Sequence, residues 1–125
     1  ERAQALGVSN DPVIRQNIAA LLSFQKMNEW TALRARAARA LGRPPGPEGS
    51  IGKLAASEVS RMANRVHTLI SGAHAMLQNG DHAHDAIVAE VLVSTPAQSI
   101  AGGTDQIQRS IIGEKILGLP RDASN

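Results

Sequence analysis

The segment AGGTDQIQ, residues 101–108, joins two adjacent glycines to a threonine, an aspartate and a glutamine at the start of an apolar-periodic run. Glycine has no Cβ, so Gly102 and Gly103 let another group come close to the backbone and tolerate positive φ. A helix beginning just behind them offers free N–H groups to an anion. Thr104 and Gln106 add a hydroxyl and an amide at the same mouth. Such a turn can hold a phosphate-bearing ligand or simply join two helices, and the residues alone leave both readings open.

Other constellations carry less chemistry. His74, His82 and His84, with Asp81 and Asp85, raise the question of zinc. Their H-x-H-D spacing falls in a loop and lacks the i, i+4 pair of a helical metal site, which favours ordinary loop residues and no metal ligands. Arg34, Arg36, Arg39 and Arg43 cluster near a helix C-terminus, where the dipole favours cations. No comparable cluster extends that patch, so a solvated face is favoured over phosphate binding. Ser57-Glu58 and the single serines have no His or Lys partner at a meaningful spacing, and no catalytic triad is assigned.

Composition narrows the classes. The 125 residues amount to one domain, or to a piece of something larger. Thirteen Lys and Arg against eleven Asp and Glu give a net charge of only +2, and Phe24 and Trp30 are the only aromatics. That balance argues against a nucleic-acid binder, which needs basic footprint and stacking platforms. The absence of cysteine excludes a disulfide scaffold or a thiolate metal site and suits a cytoplasmic protein. No apolar run approaches the roughly 18 residues of a membrane span, and the N-terminus has no signal-peptide core.

The elements that must position the turn read as all-α. Asp11-Pro12 is a helix start, an N-cap acid followed by proline at the first helical position. Ile14, Ile18, Leu21, Leu22, Phe24, Met27, Leu33, Ala37 and Leu41 then follow at three-to-four spacing. The stripe is wider than a surface helix needs, so this helix is expected to pack on more than one neighbour. GRPPGPEGS, residues 42–50, breaks it with three glycines and three prolines. Ser50 is read as the N-cap of a second helix carrying Ile51, Leu54, Ala55, Val59, Met62, Val66, Leu69 and Ile70. Asn79-Gly80-Asp81 marks a turn, a short helix ends before Pro96, and Thr104 or Asp105 opens the last one. That helix carries Ile107, Ile111, Ile112, Ile116 and Leu117 until Gly118-Leu119-Pro120 stops it. The expected helices are 12–41, 51–71, 82–94 and 105–118, packed as an antiparallel bundle.

AGGTDQIQRSIIGEKILGLP resembles the C-terminal signature of the acyl-CoA dehydrogenase family, particularly its actinobacterial members. GSIGKLAASEVSRMANRVHTLISGAHAML and DPVIRQNIAALLSFQKMNEWTALRARAARAL extend the resemblance over nearly all of the chain, yet only over the end of a family member. It implies a C-terminal helical domain without its first helix, taken from a protein with an N-terminal helical and a middle β domain. The implied activity is α,β-dehydrogenation of an acyl-CoA thioester, of fatty-acid or steroid side-chain type. FAD is the implied cofactor, electron-transfer flavoprotein the electron acceptor, and a homo- or heterotetramer built through the helical bundle the assembly.

By the same resemblance Thr104 and Gln106 match positions that help hold FAD, and Gly103 matches the glycine before that threonine. The glycine-rich segment that meets a neighbouring subunit's FAD falls at Thr68 to His74, where Gly72 keeps a glycine and Ser71 and His74 replace others. Many members place the catalytic glutamate directly before the Gly-Thr pair; here that position is Gly102, and a glycine cannot act as a base. The resemblance therefore assigns no catalytic residue within the chain. Either a relocated base lies upstream of Glu1, or the chain is part of a non-catalytic assembly subunit that depends on a catalytic partner. On either reading the isolated chain is expected to be inactive and to retain no FAD.

Overall fold

Asp11 Oδ1 accepts hydrogen bonds from Val13 N at 2.8 Å and Ile14 N at 3.1 Å, and Pro12 fills the first helical position. This is the expected start, and from it the longest helix of the computed structural model, α2 (Pro12–Ala40), runs 29 residues. It closes with Gly42 at φ 76°: Arg43 N reaches Ala38 O at 3.2 Å and Gly42 N reaches Arg39 O at 3.0 Å. Those two bonds form a Schellman stop, in which a left-handed glycine lets the last carbonyls find donors. The remaining helices are α1 (Arg2–Ala5), α3 (Glu48–Ser71), α4 (Ala83–Gln98) and α5 (Asp105–Lys115), with a 3-10 turn at Gly72–Met76. The structure describes residues 1–44, 46–76 and 83–121, and no strand occurs among them.

Three boundaries differ from the sequence reading by more than one residue, each for a local reason. α3 opens at Glu48 rather than after Ser50, because Pro47 presets a turn-like φ of −73° and Glu48 adds an acid to the first turn. Ser50 is thus a helical residue, and a buried one. α4 does not stop before Pro96 but carries it two residues from its end. Proline's fixed φ suits a helix and here removes one ladder bond near the terminus, while the Thr95 hydroxyl donates to Val91 O at 2.6 Å. α5 ends at Lys115, three residues short of the expected 118, and Gly118 turns the chain at φ 67°. The Asn79-Gly80-Asp81 turn lies outside the described residues.

α3 is the strut of the bundle, packing against α2, α4, α5 and the 3-10 turn. Its apolar core joins Val66 and Ile70, near its C-terminal end, to Ile14 and Leu21 near the start of α2 and to Ala3 of α1. Val8, Ile18, Val59, Met62 and Ala63 pack around that cluster, so α2 and α3 run antiparallel. Only Ile14 and Leu21 of α2 are buried. The wide stripe seen in its sequence remains exposed at Leu22, Met27, Leu33 and Trp30, the last with 59% of its surface open. Among the described residues α2 packs on one long helix, α3, and these apolar side chains have no cover. No helix among the described residues is long and apolar enough to cross a membrane.

The face of α3 turned toward α4 and α5 is polar. Ser50, Lys53, Ser57, Arg61, Asn64, Thr68 and Ser71 recur every three or four residues along it, the spacing that puts side chains on one helical face. Ser50, Ser57, Asn64 and Ser71 are buried there, and Ser57 is only 2% exposed. Buried polar groups must find hydrogen-bond partners, and the partners of this stripe's N-terminal half are what fix the glycine turn in place.

Candidate functional site

The chain leaves α4 at Gln98, makes the glycine turn and enters α5 at Asp105. Gly102 has φ 69° and Gly103 φ 96°, a left-handed region that side chains with a Cβ rarely occupy. Gln108 folds back over the turn and donates from Nε2 to Gly102 O at 3.2 Å. A Cβ on Gly103 would lie 2.9 Å from that Nε2, whereas one on Gly102 would meet nothing within 4 Å. Both glycines are therefore favoured by their backbone conformation, independently of any outside group, and a Cβ on the second would in addition displace the flexible end of Gln108. Gln108, buried and part of the turn's own fastening, escaped the sequence reading.

Thr104 is the N-cap of α5, its Oγ1 accepting from Ile107 N at 3.3 Å. Asp105 N donates to Ser99 O at 3.0 Å, which closes residues 99–105 into a loop. Two of the three N–H groups in the first turn of α5 are thus satisfied within the chain, leaving that of Gln106. Just ahead of the helix Gly102 N, Gly103 N and Thr104 N likewise have no partner among the described residues, so several N–H groups stay free at this mouth.

The fastening is ionic. Asp105 is 4% exposed, and its carboxylate sits between two cations of α3. Lys53 Nζ lies 2.7 Å from Oδ1 and Arg61 NH1 2.8 Å from Oδ2. Lys53 also donates to Ser99 O at 3.3 Å, Arg61 NH1 to Ser99 Oγ at 2.6 Å, and Ser57 Oγ to Gln98 O at 3.0 Å. The other edge of the Arg61 guanidinium holds Glu58 Oε2 through NH2 at 2.7 Å and Nε at 3.1 Å. The hydrogen bond from Lys53, and then that from Arg61, hold the Asp105 carboxyl well below the usual carboxylate range. Asp105 entered the sequence analysis only as a possible helix start.

Beside this knot a cleft of about 550 Å³ is lined by Thr104 and Gln106, by Arg61 and Asn64 of α3, and by Thr95 and Leu92 of α4. Thr104 is half-buried and Gln106 exposed at its rim. Gly103, Thr104 and Gln106 are thus brought together, but Gly72 is not. It caps the C-terminal end of α3 at φ 57°, eleven residues beyond Arg61 and so about 16 Å further along the helix. His74 is exposed in the 3-10 turn, and Asp81 and His82 lie outside the described residues, as do the side chains of His84 and Asp85. Among the described residues no group of three potential ligands is placed to hold a metal ion. Arg34, Arg36, Arg39 and Arg43 line a separate groove between α2 and the linker, where Lys115 of α5 joins them.

This geometry meets an independent comparison. The family described as acyl-CoA dehydrogenase, C-terminal domain, matches residues 1–117. The chain belongs to the acyl-CoA dehydrogenase family. Among its relatives, acyl-CoA dehydrogenase IpdE1 of Mycolicibacterium smegmatis is 30% identical over 127 residues, covering 98% of this chain and 29% of the relative. IpdE1 of Mycobacterium tuberculosis is 29% identical over 129 residues, covering 98% of this chain and 31% of the relative. The chain thus spans less than a third of the length of these acyl-CoA dehydrogenases. No solved structure matches it. The all-α bundle expected from periodicity is the fold of this C-terminal domain.

The ionic fastening has a pH signature. A carboxyl whose folded pKa is depressed contributes stability above its unfolded pKa of about 4 and loses it as pH falls toward the folded value. Asp105→Asn is therefore expected to lower the melting temperature at pH 7. The gap from wild type should narrow steadily between about pH 5 and pH 2. Thermal melts of both proteins across that range check this, and parallel curves would count against it.

Proposed function

We propose that this chain is the C-terminal helical domain of an FAD-dependent acyl-CoA dehydrogenase, contributing FAD contacts at the glycine turn and an assembly surface along α2. The observation that carries the reading is the convergence of Thr104 and Gln106 with Arg61 and Asn64 on one cleft beside a turn held rigid from behind. The donors left there fit a phosphate- and hydroxyl-rich cofactor: the Gln106 amide, its backbone N–H, and the Thr104 O–H, whose oxygen is occupied as an acceptor. FAD, when bound, supplies acceptance of a hydride from the acyl thioester. The chain's own part is to bind and orient, with Gly72 at the far end of α3 facing the flavin of a neighbouring subunit. Electrons would pass on to an electron-transfer flavoprotein.

Gly102 favours keeping a second reading. It occupies the position where a family carboxylate removes the α-proton, and the chain offers no acid in its place. A non-catalytic assembly subunit would need the interface and the bundle but not the base. The full-length protein assayed alone on acyl-CoA thioesters with an artificial electron acceptor separates the two: turnover supports a base upstream of Glu1, and turnover only on addition of a partner subunit supports the assembly role.

Two variants of the full-length protein test the proposal itself. Gln106→Ala removes an exposed side chain with little internal role, so the apoprotein melting temperature should stay unchanged. Its FAD Kd should rise about fivefold to tenfold, one hydrogen bond of about 0.5–1.5 kcal/mol. Unaltered flavin affinity in a titration would remove the turn from the cofactor site. Trp30→Asp places a charge in the exposed apolar stripe of α2 and should lower the assembly mass seen by light scattering. An intact oligomer would move the interface elsewhere.

A further inference from the structure

We infer that Asp105 is a positioning residue for the cofactor: with Lys53, Arg61 and Ser57 it forms a lock that sets where Thr104 and Gln106 stand. This rests on the flavin reading of the turn, and it concerns residues that resemblance to the family did not single out.

The loop from Ser99 to Asp105 is closed by its own bond, Asp105 N to Ser99 O. Both of its ends are then tied to one face of α3. Ser57 holds Gln98 O, Lys53 holds Ser99 O and the Asp105 carboxylate, and Arg61 holds Ser99 Oγ and the same carboxylate. Between these anchors Ile100, Ala101, Gly102 and Gly103 are exposed. A loop containing two left-handed glycines has little stiffness of its own. Its position is set by where it is nailed down: Ile100 N and Ala101 N reach Ala97 O at the end of α4, Gln108 holds Gly102 O, and the side-chain anchors at both ends come from α3.

Thr104 and Gln106 are the immediate sequence neighbours of Asp105. Because Asp105 is held through both carboxylate oxygens by groups on two different turns of α3, neither translation nor rotation about one bond is free. Apolar packing on α5 is limited to the half-buried Ile111 and Ile112, while Ile107 within it and Ile116 and Leu117 just past its end are exposed. Directional charge-assisted bonds are suited to this purpose, since they fix orientation as well as proximity. Releasing one anchor should leave the bundle folded and allow the cofactor-facing groups to drift, and a misplacement of about 1 Å is enough to weaken a preorganised site.

The discriminating experiment uses the full-length flavoprotein with Lys53→Met, Asp105→Asn and the double variant, together with Ser57→Ala and the control Gln106→Ala. FAD Kd is measured by flavin fluorescence at a temperature where circular dichroism finds each variant folded. Lys53→Met leaves the buried Asp105 with Arg61 alone and Asp105→Asn leaves Lys53 without its counter-ion, so both should melt lower. The double variant removes both and leaves Arg61 with Glu58, so its melting temperature should recover toward wild type. A positioning role predicts that the double variant, although stabilised, still binds FAD at least tenfold more weakly than wild type. Ser57→Ala, which frees Gln98 O and a lesser hydrogen bond to Asp105 but leaves no charge behind, should weaken FAD binding about threefold. Recovery of wild-type FAD affinity in the folded double variant, or wild-type affinity in Ser57→Ala and both single variants, overturns the inference. If Gln106→Ala weakens FAD binding while the lock variants do not, the inference alone fails; if Gln106→Ala is also silent, the flavin reading fails with it.

Discussion

A carboxylate buried between a lysine and an arginine holds the last helix of this domain in place. Asp105 is taken almost wholly out of water, and that is tolerable only because Lys53 and Arg61 reach it at hydrogen-bond distance from α3. The constraint works in both directions. α5 cannot slide along α3 without stranding the charge, and α3 cannot lose either cation without leaving an incomplete site. Charge balance is kept locally, since Glu58 takes the second edge of Arg61. The glycine turn inherits its geometry from this arrangement: two left-handed residues sit on a loop whose ends are pinned by the same side chains.

The two faces of α3 divide the labour of the domain. One face, through Val59, Met62, Val66 and Ile70, supplies the apolar packing against α2. The other, from Ser50 to Ser71, is polar: its Lys53, Ser57 and Arg61 hold Gln98, Ser99 and Asp105, and its Ser71 accepts from Arg2 of α1. α2 in turn uses a small part of its apolar stripe on α3 and leaves the larger part outward. An exposed patch containing a tryptophan, a methionine and several leucines is more than scattered surface apolarity, and it lies outside the chain's own core.

The helices were legible in the sequence wherever the signal was local. The Asp11-Pro12 start, the stop near Gly42, the glycine- and proline-rich break after it and the start of α5 at Thr104 or Asp105 each depend on residues within a few positions of one another. Pro96 misled because its usual effect on a helix interior is small two residues from a helix end. The ionic lock was not legible in the same way, because Lys53 lies 52 residues and Arg61 44 residues from Asp105. No local pattern links a capping-position acid to cations that far upstream. One signal was available: Lys53, Ser57, Arg61, Asn64, Thr68 and Ser71 recur at helical spacing opposite the apolar stripe of α3, and a polar stripe that regular can face a polar partner as readily as water. The positive φ that the paired glycines allow is present at both Gly102 and Gly103, and the group beside Gly103 is Gln108 of the same chain.

Native-state hydrogen exchange of the protein and its Lys53→Met variant tests most directly whether the charged cluster, rather than apolar packing, holds the turn on α3. The account predicts that protection at Asp105 and Gln108, whose amides bond Ser99 O and Thr104 O, falls by at least tenfold. Amides in the apolar contact of α2 with α3, around Leu21 and Val66, should exchange as in wild type. Unchanged protection at Asp105 and Gln108, or an equal loss throughout the bundle, would contradict it.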